Sequence, residues 1–208
     1  MLSLTTIHLV RHGEVHNPDH VVYTDIPGFG LSKRGHRQAS KAATHLADYN
    51  IAAVFASPLQ RATETAVAIA RPHGITLKTI PNLTEWYLAQ RWKGLPWETL
   101  DDHRPGELDA YLDHPLDMAF SPESLESLAV RMVTAIESLA SQHEHQEIVI
   151  VSHQDPVQAA RLALTHRTLA SLNNDKPGHA EVFSLEYTER WTEVNRFIPL
   201  DQEPFPPT

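Results

Sequence analysis

Thr6-Ile7-His8-Leu9-Val10-Arg11-His12-Gly13-Glu14-Val15-His16-Asn17-Pro18 is the stretch on which the fold turns. Its first five residues read as a short, mostly apolar strand, and Gly13 then breaks the chain into a polar loop. An arginine and a histidine are thereby delivered side by side at the carboxyl end of a buried strand. Open α/β sheets form their ligand crevices at such ends. Arginine is permanently charged and offers a planar fork of donors suited to an oxyanion. Histidine titrates near neutral pH and serves as base, acid, nucleophile or metal ligand. Taken alone, the pair reads more readily as a basic strand end with a structural histidine.

Outward from this strand (residues 5–11), residues 13–31 form a long loop containing Pro18, Pro27, Gly28 and Gly30. Loops of that length are more often functional than accidental. Ser32 caps a helix whose Ala39, Ala42, Ala43, Leu46 and Ala47 recur at helical spacing and which ends near Tyr49-Asn50. The apolar run 51–56 predicts a second buried strand, closed by Ser57-Pro58. A helix over 59–70, stopped by Pro72-His73-Gly74, leads to an alternating run at 75–80 that suits a strand nearer an edge.

Residues 81–122 are less regular. Trp86, Tyr87, Trp92 and Trp97 cluster there, and short helices fit 96–102 and 106–113. This section reads as a helical lid insertion over one end of the sheet. Ser121-Pro122-Glu123 opens the clearest helix, followed by Leu125, Leu128, Ala129, Met132, Val133, Ile136, Leu139 and Ala140. The run 147–152 is the most strand-like of all and ends at His153. A helix from Pro156 to about His166, strands at 180–187 and 190–198, and an extended proline-bearing tail at 199–208 complete the chain. Strand and helix alternate, which predicts a three-layer α/β/α sandwich with a mostly parallel central sheet, in one domain over residues 1–208.

Composition narrows the partners. A formal charge of −9 argues against non-specific nucleic-acid binding, which needs basic patches. It also requires any phosphorylated ligand to find a locally positive pocket. The absence of cysteine excludes disulfides, thiolate metal sites and a cysteine nucleophile. No apolar run approaches the roughly 18 residues of a membrane span. The first residues lack the basic region and cleavage site of a signal peptide, so no membrane partner and a cytoplasmic location are expected. Most of the 14 histidines, including His103, His114, His143 and His145, are expected to be solvated.

Three strands end in suggestive residues: Arg11-His12, Ser57-Pro58 with Arg61 a helical turn on, and His153. Leu83-Thr84-Glu85 follows the strand expected at 75–80. If these ends meet, they form a pocket of two arginines, two histidines and a carboxylate. Phosphoryl transfer needs such a set: donors around the equatorial oxygens, a nucleophile in line and an acid for the leaving oxygen. An imidazole can attack phosphorus and split a hard hydrolysis into two easier steps. The carboxyl can protonate the departing alkoxide and then activate water. Neither a metal nor a cofactor is called for.

In order along the chain, Leu9-Val10-Arg11-His12-Gly13-Glu14, Leu31-Ser32-x-x-Gly35, Ser57-Pro58-Leu59-x-Arg61-Ala62-x-x-Thr65-Ala66, Leu83-x-Glu85 and Val151-Ser152-His153 resemble the successive motifs of the histidine phosphatase superfamily, and more narrowly its phosphoglycerate mutase-like branch. The resemblance implies that His12 is the phosphorylated nucleophile, that Arg11, Arg61 and His153 hold the phosphoryl group, and that Glu85 is the proton donor. It also brings Asn17 to the phosphate, although the family's usual asparagine stands one residue farther from the histidine.

Departures from the pattern bear on substrate and reaction. The family commonly has Gly-Gly after the second histidine, where this chain has Gln154-Asp155-Pro156. Asp155 suits an N-cap before Pro156 better than a second acid near the site. Family mutases carry an arginine and a tyrosine after the glutamate and an adjacent arginine pair in a long lid. Here Trp86 and Tyr87 follow Glu85, and no Arg-Arg pair lies between Glu85 and His153. With so little fixed charge to retain a second anionic group, a phosphatase acting on a small phosphorylated metabolite is expected rather than a cofactor-dependent phosphoglycerate mutase. The lid aromatics Trp86 and Tyr87 either line a leaving-group pocket or pack the insertion onto the sheet, packing being the preferred role. Arg91 and Lys93 either reach a second anionic group or sit in a solvated turn before Gly94, the turn being preferred.

Two other classes fit the sequence less well. His12, Glu14 and His16 lack zinc-protease spacing, because Gly13 stands where that helix has its glutamate. A non-catalytic phospho-ligand binding module is disfavoured by the full set of Arg11, His12, Arg61, Glu85 and His153.

Overall fold

The computed structural model describes residues 4–200. The extended tail expected at 199–208 lies almost wholly outside those residues. In chain order the elements are β1 (Thr5–Arg11), α1 (Lys33–Leu46), β2 (Ile51–Ala56), α2 (Gln60–His73), β3 (Lys78–Thr79), α3 (Leu88–Arg91), α4 (Leu100–His103), α5 (Glu107–Asp113), α6 (Leu125–Ser141), β4 (Glu147–Ser152), α7 (Gln154–Leu164), β5 (Val182–Tyr187) and β6 (Trp191–Phe197). The six strands form one sheet in the order β3-β2-β4-β1-β5-β6. β3, β2, β4 and β1 run parallel, while β5 pairs antiparallel with β1 and β6 antiparallel with β5.

Side chains of successive strand residues point to opposite faces, so an all-apolar strand serves two cores. Ile7, Leu9, Ile148 and Ile150 pack on one side with α6 and α7. Val10, Val149 and Val151 pack on the other with the alanine faces of α1 and α2. The result is the three-layer α/β/α sandwich, with the helical lid between β3 and α6.

Several element ends differ from those expected. The run 75–80 yields only a two-residue strand, because β2 offers pairing partners at Phe55 and Ala56 alone. α2 continues to His73 and stops at Gly74, whose φ of 67° suits glycine. α6 is capped by Ser124, whose hydroxyl accepts from the Ser127 N–H, and not by Ser121. Residues 121–123 are used otherwise: Ser121 donates to the Glu123 carbonyl, and the Glu123 carboxylate grips Arg131 at 2.7 Å. α7 begins two residues before Pro156, with His153 at its N-cap position. Asp155 therefore lies in the first turn of α7 and is not its cap.

The loop after β1 is pressed onto the start of α1. Ser32 accepts from the Gly35 N–H and donates to Glu14 Oε1 at 2.6 Å. A Cβ on Gly35 would sit 2.0 Å from the Glu14 carbonyl oxygen, and one on Gly13 would sit 2.6 Å from the Gly35 carbonyl oxygen. Backbone cannot yield as a side-chain tip can. Gly35→Ala is expected to cost about 1–3 kcal/mol by overpacking. Urea unfolding at constant m-value checks it, and an unchanged midpoint would show that the contact relaxes freely.

Candidate active site

Strand register assembles the site. Arg11 of β1 pairs with Ser152 of the neighbouring β4, so His12 and His153 emerge together at the carboxyl edge. β2 flanks β4 on its other side, and Ser57 donates its N–H to the Val151 carbonyl. The first turn of α2 then carries Arg61 beneath both imidazoles. Glu85 arrives on the segment after β3, which Ser152 fixes through its hydroxyl bond to the Leu83 carbonyl at 2.7 Å. Arg131 of α6 holds the same segment by donating to the carbonyls of Asn82, Thr84 and Glu85 while paired with Glu123.

The His12 ring nitrogens have distinct roles. Nδ1 lies 2.7 Å from the Gly13 carbonyl, which can only accept, so the proton sits on Nδ1 and Nε2 keeps its lone pair. Arg61 Nε donates toward that Nε2 and toward His153 Nδ1, each at 3.2 Å. His153 Nε2 then donates to Ser57 Oγ at 2.8 Å. The two rings are 5.2 Å apart in a T-shaped arrangement. Burial and the Arg61 charge hold both imidazoles well below the usual histidine range. His12 is therefore a neutral, oriented base or nucleophile.

The guanidinium groups are pinned from behind. Arg61 Nη1 donates to the Thr24 carbonyl at 2.7 Å, and its Cζ lies 4.7 Å from the Tyr23 ring centroid. Arg11 donates to the Pro177 carbonyl and to His179 Nε2, both at 2.9 Å. Each arginine keeps one buried nitrogen without a hydrogen-bond partner among the described residues, Nε of Arg11 and Nη2 of Arg61. A buried donor left unpaired costs about 1–3 kcal/mol or more for a charged group. Two of them beside one cavity mark a place for an oxyanion.

Glu85 faces the same space. Its Oε1 accepts the Trp86 N–H, and its Oε2 stands 4.0 Å from Arg61 Nη2 and 3.7 Å from His153 Nδ1. Burial, reinforced by the Asp155 carboxylate, pushes its pKa up to about 7 against the pull of Arg61. A carboxyl so poised can give and take a proton near neutrality.

These groups open into a cavity of about 270 Å³ lined by Arg11, His12, Arg61, Glu85, Tyr111 and Asp155, with Tyr23, Trp86, Trp92 and Trp97 among its walls. The structure brings His12, Arg11, Arg61, Glu85 and Trp86 to this cavity and sets His153 directly behind Arg61. Other expected residues stand elsewhere. The Asn17 side chain closes a loop on the Val21 backbone and lines a separate, more open neighbouring cavity with Glu14 and His179. Tyr87 points outward beneath Arg131. Arg91 is engaged by the Glu107 carboxylate, and Lys93 by Asp25. Trp86 and Trp92 both pack and line, being 2% exposed.

Tyr23, Tyr111, Lys176 and His179 were not anticipated. Tyr111 donates to Asp155 at 3.0 Å, and Lys176 pairs with Asp155 at 2.8 Å. The adjacency of Asp155 to His153 was the available signal. Nothing local marks the others, which come from loops that meet only in space. Among the described residues, no three His, Asp or Glu side chains converge as a metal site, and no helix is long and apolar enough to cross a membrane.

A mostly parallel sheet with its strand ends converging on this pocket is the architecture of the phosphoglycerate mutase-like enzymes. A family model described as "Histidine phosphatase superfamily (branch 1)" matches residues 7–198, and the chain belongs to that superfamily as a histidine-type phosphatase. An uncharacterized protein of Mycobacterium tuberculosis is 38% identical over 181 residues, covering 79% of this chain and 81% of the relative. A metal-independent phosphoserine phosphatase of Arabidopsis thaliana is 30% identical over 176 residues, covering 81% of this chain and 72% of the relative. The fold matches a mycobacterial glucosyl-3-phosphoglycerate phosphatase with a TM-score of 0.80 at 23% identity, covering 91% and 97% of the two chains.

Proposed function

We propose that the protein is a metal-independent phosphatase that hydrolyses a small phosphomonoester through a phosphohistidine on His12. The observation that carries this reading is the His12 tautomer: Nδ1 is committed to the Gly13 carbonyl, so Nε2 keeps its lone pair, held here only by the 3.2 Å contact from Arg61 Nε, beside two guanidinium nitrogens that lack a hydrogen-bond partner. In the first step Nε2 attacks phosphorus, the ester P–O bond breaks, and the departing alkoxide takes the Glu85 proton. Arg11 and Arg61 carry the charge on the equatorial oxygens. The charge of the phosphoryl group would favour a proton on His153 Nδ1, turning that acceptor into a further donor. In the second step Glu85 takes a proton from water, the oxygen attacks phosphorus, and the P–N bond breaks to return neutral His12 and inorganic phosphate.

Metal independence is supported by where Arg61 stands. Its Nε occupies the position facing both imidazole lone pairs, where a metal shared by the two histidines would have to sit. A phosphatase is favoured over a mutase because the lid cations Arg91 and Lys93 are held by Glu107 and Asp25. The phosphatase name of the Arabidopsis relative points the same way. Incubation with 3-phosphoglycerate and a trace of 2,3-bisphosphoglycerate, in excess chelator, tests both points alongside an aryl phosphate. Phosphate release from the aryl ester that chelator leaves undiminished is expected. Isomerisation without phosphate release would favour the mutase, and loss of activity in chelator would overturn metal independence.

A further inference from the structure

Charge in the cavity is divided unevenly between the reacting end and the leaving-group end. Among the described residues, Arg11 and Arg61 are the only arginine or lysine side chains in its lining, and both face the phosphoryl position. The other basic groups touching lining residues or their segments are already matched: Lys176 with Asp155, Lys93 with Asp25, Arg91 with Glu107 and Arg131 with Glu123. The leaving-group end instead presents the Asp155 carboxylate, held by Tyr111 and backed by Lys176, among the aromatic walls of Tyr23, Trp86, Trp92 and Trp97. Lys176 lies behind Asp155 and is not part of the lining, so what a ligand meets first is the carboxylate. The volume, about 270 Å³, falls just below the roughly 300–1,000 Å³ range of ligand cavities.

We infer that this cavity selects small phosphomonoesters whose alcohol portion carries no anionic group, and that Asp155 is the residue enforcing that choice. A second anion would face a carboxylate with no free cation to offset it, and like-charge juxtaposition is an effective way to reject a ligand. An uncharged alcohol escapes that repulsion from the carboxylate end of the Asp155–Lys176 pair and meets aromatic faces on which a hydroxylated or apolar skeleton can rest. This inference rests on the phosphatase reading. It departs from the carboxylate-bearing substrate in the name of the Arabidopsis relative.

Two matched pairs of esters test it, each differing by a carboxylate. Glycerol 3-phosphate replaces the carboxylate of 3-phosphoglycerate with a hydroxymethyl group, and phosphoethanolamine is phosphoserine without its carboxylate. In each pair the member lacking the carboxylate is expected to have a kcat/KM about tenfold or more higher, the difference residing in KM. Two substitutions should move that ratio in opposite directions. Asp155→Asn leaves the Lys176 charge unmatched and is expected to narrow or reverse the preference. Lys176→Gln leaves Asp155 unmatched and is expected to widen it. Simple loss of folding would lower both members together and could not shift the ratio both ways. Equal turnover of the paired esters, or ratios that do not separate in the two variants, would overturn the inference while leaving the phosphatase reading intact. Inactivity on all four esters and on an aryl phosphate would overturn both.

Discussion

His12→Ala is expected to lower turnover of an aryl phosphate by about 10⁴-fold or more, since removing a nucleophile costs far more than removing a binding group. Alanine deletes the Nε2 lone pair that the Gly13 bond holds in one tautomer beside Arg61. His153 cannot take over, because its side chain is fully buried and its Nε2 is committed to Ser57. Binding should survive, since Arg11 and Arg61 keep their unpaired nitrogens and their anchors at Pro177, His179 and Thr24. Steady-state kinetics, with inorganic phosphate as a competitive ligand, read the two separately. Rapid quenching of the wild type with labelled ester should trap a label that survives alkali and is lost in acid, as a phosphoramidate is. Residual activity within tenfold of the wild type, or an acid-stable label, would remove His12 from the nucleophile's role.

Glu85→Gln carries the second large effect, a loss of about 10²–10⁴-fold for alkyl esters, the usual contribution of a positioned proton donor. An aryl ester with a good leaving group should lose less, because its oxygen departs with little help. The pH profile supplies an independent sign. Formation of the phosphoenzyme needs Glu85 protonated, and its pKa stands at about 7. In the wild type, kcat/KM should therefore fall as pH rises through about 7. On the acid side, His12 is held well below the usual histidine range and is already neutral at weakly acidic pH. The rise there should instead follow the substrate's second phosphate ionisation, near pH 6. In Glu85→Gln the alkaline limb should vanish. A limb that persists unchanged would assign it to another group.

Much of the architecture is written locally. β1, β2 and β4 are covered on both faces, so β2 and residues 148–151 of β4 appear as hydrophobic runs and β1 as one interrupted only by the buried His8, each followed by polar residues at its carboxyl end. α1 starts where a serine can accept from the helix's first free N–H groups. Strand ends marked by Arg11-His12, Ser57 and His153 were visible for the same reason: hydrophobic periodicity stops where the chemistry starts.

Edge and lid elements are less legible. β3 has the alternation of a longer strand but only two residues of pairing partner on β2. Ser121 and Asp155 are each good caps by local rules, and both lost to distant partners. Glu123 is held by Arg131, which draws 121–123 into bracing the Glu85 segment. Asp155 is held by Tyr111 and Lys176, from the lid and from the loop before β5. A capping bond is worth about 1 kcal/mol, and a partly buried, charge-assisted network can outweigh it.

The Arg11-His12 doublet and the motifs that follow it determined the kind of chemistry, because nucleophile, donors and acid are residue types stated in the chain. Which of them share a cavity, and which nitrogen of His12 faces it, depended on β4 lying between β1 and β2 and on one carbonyl bond at Gly13. The character of the leaving-group end was decided only in three dimensions. Asp155, Tyr111 and Lys176 are separated in the chain, and only long-range packing brings one carboxylate, one phenol and one ammonium to the same wall.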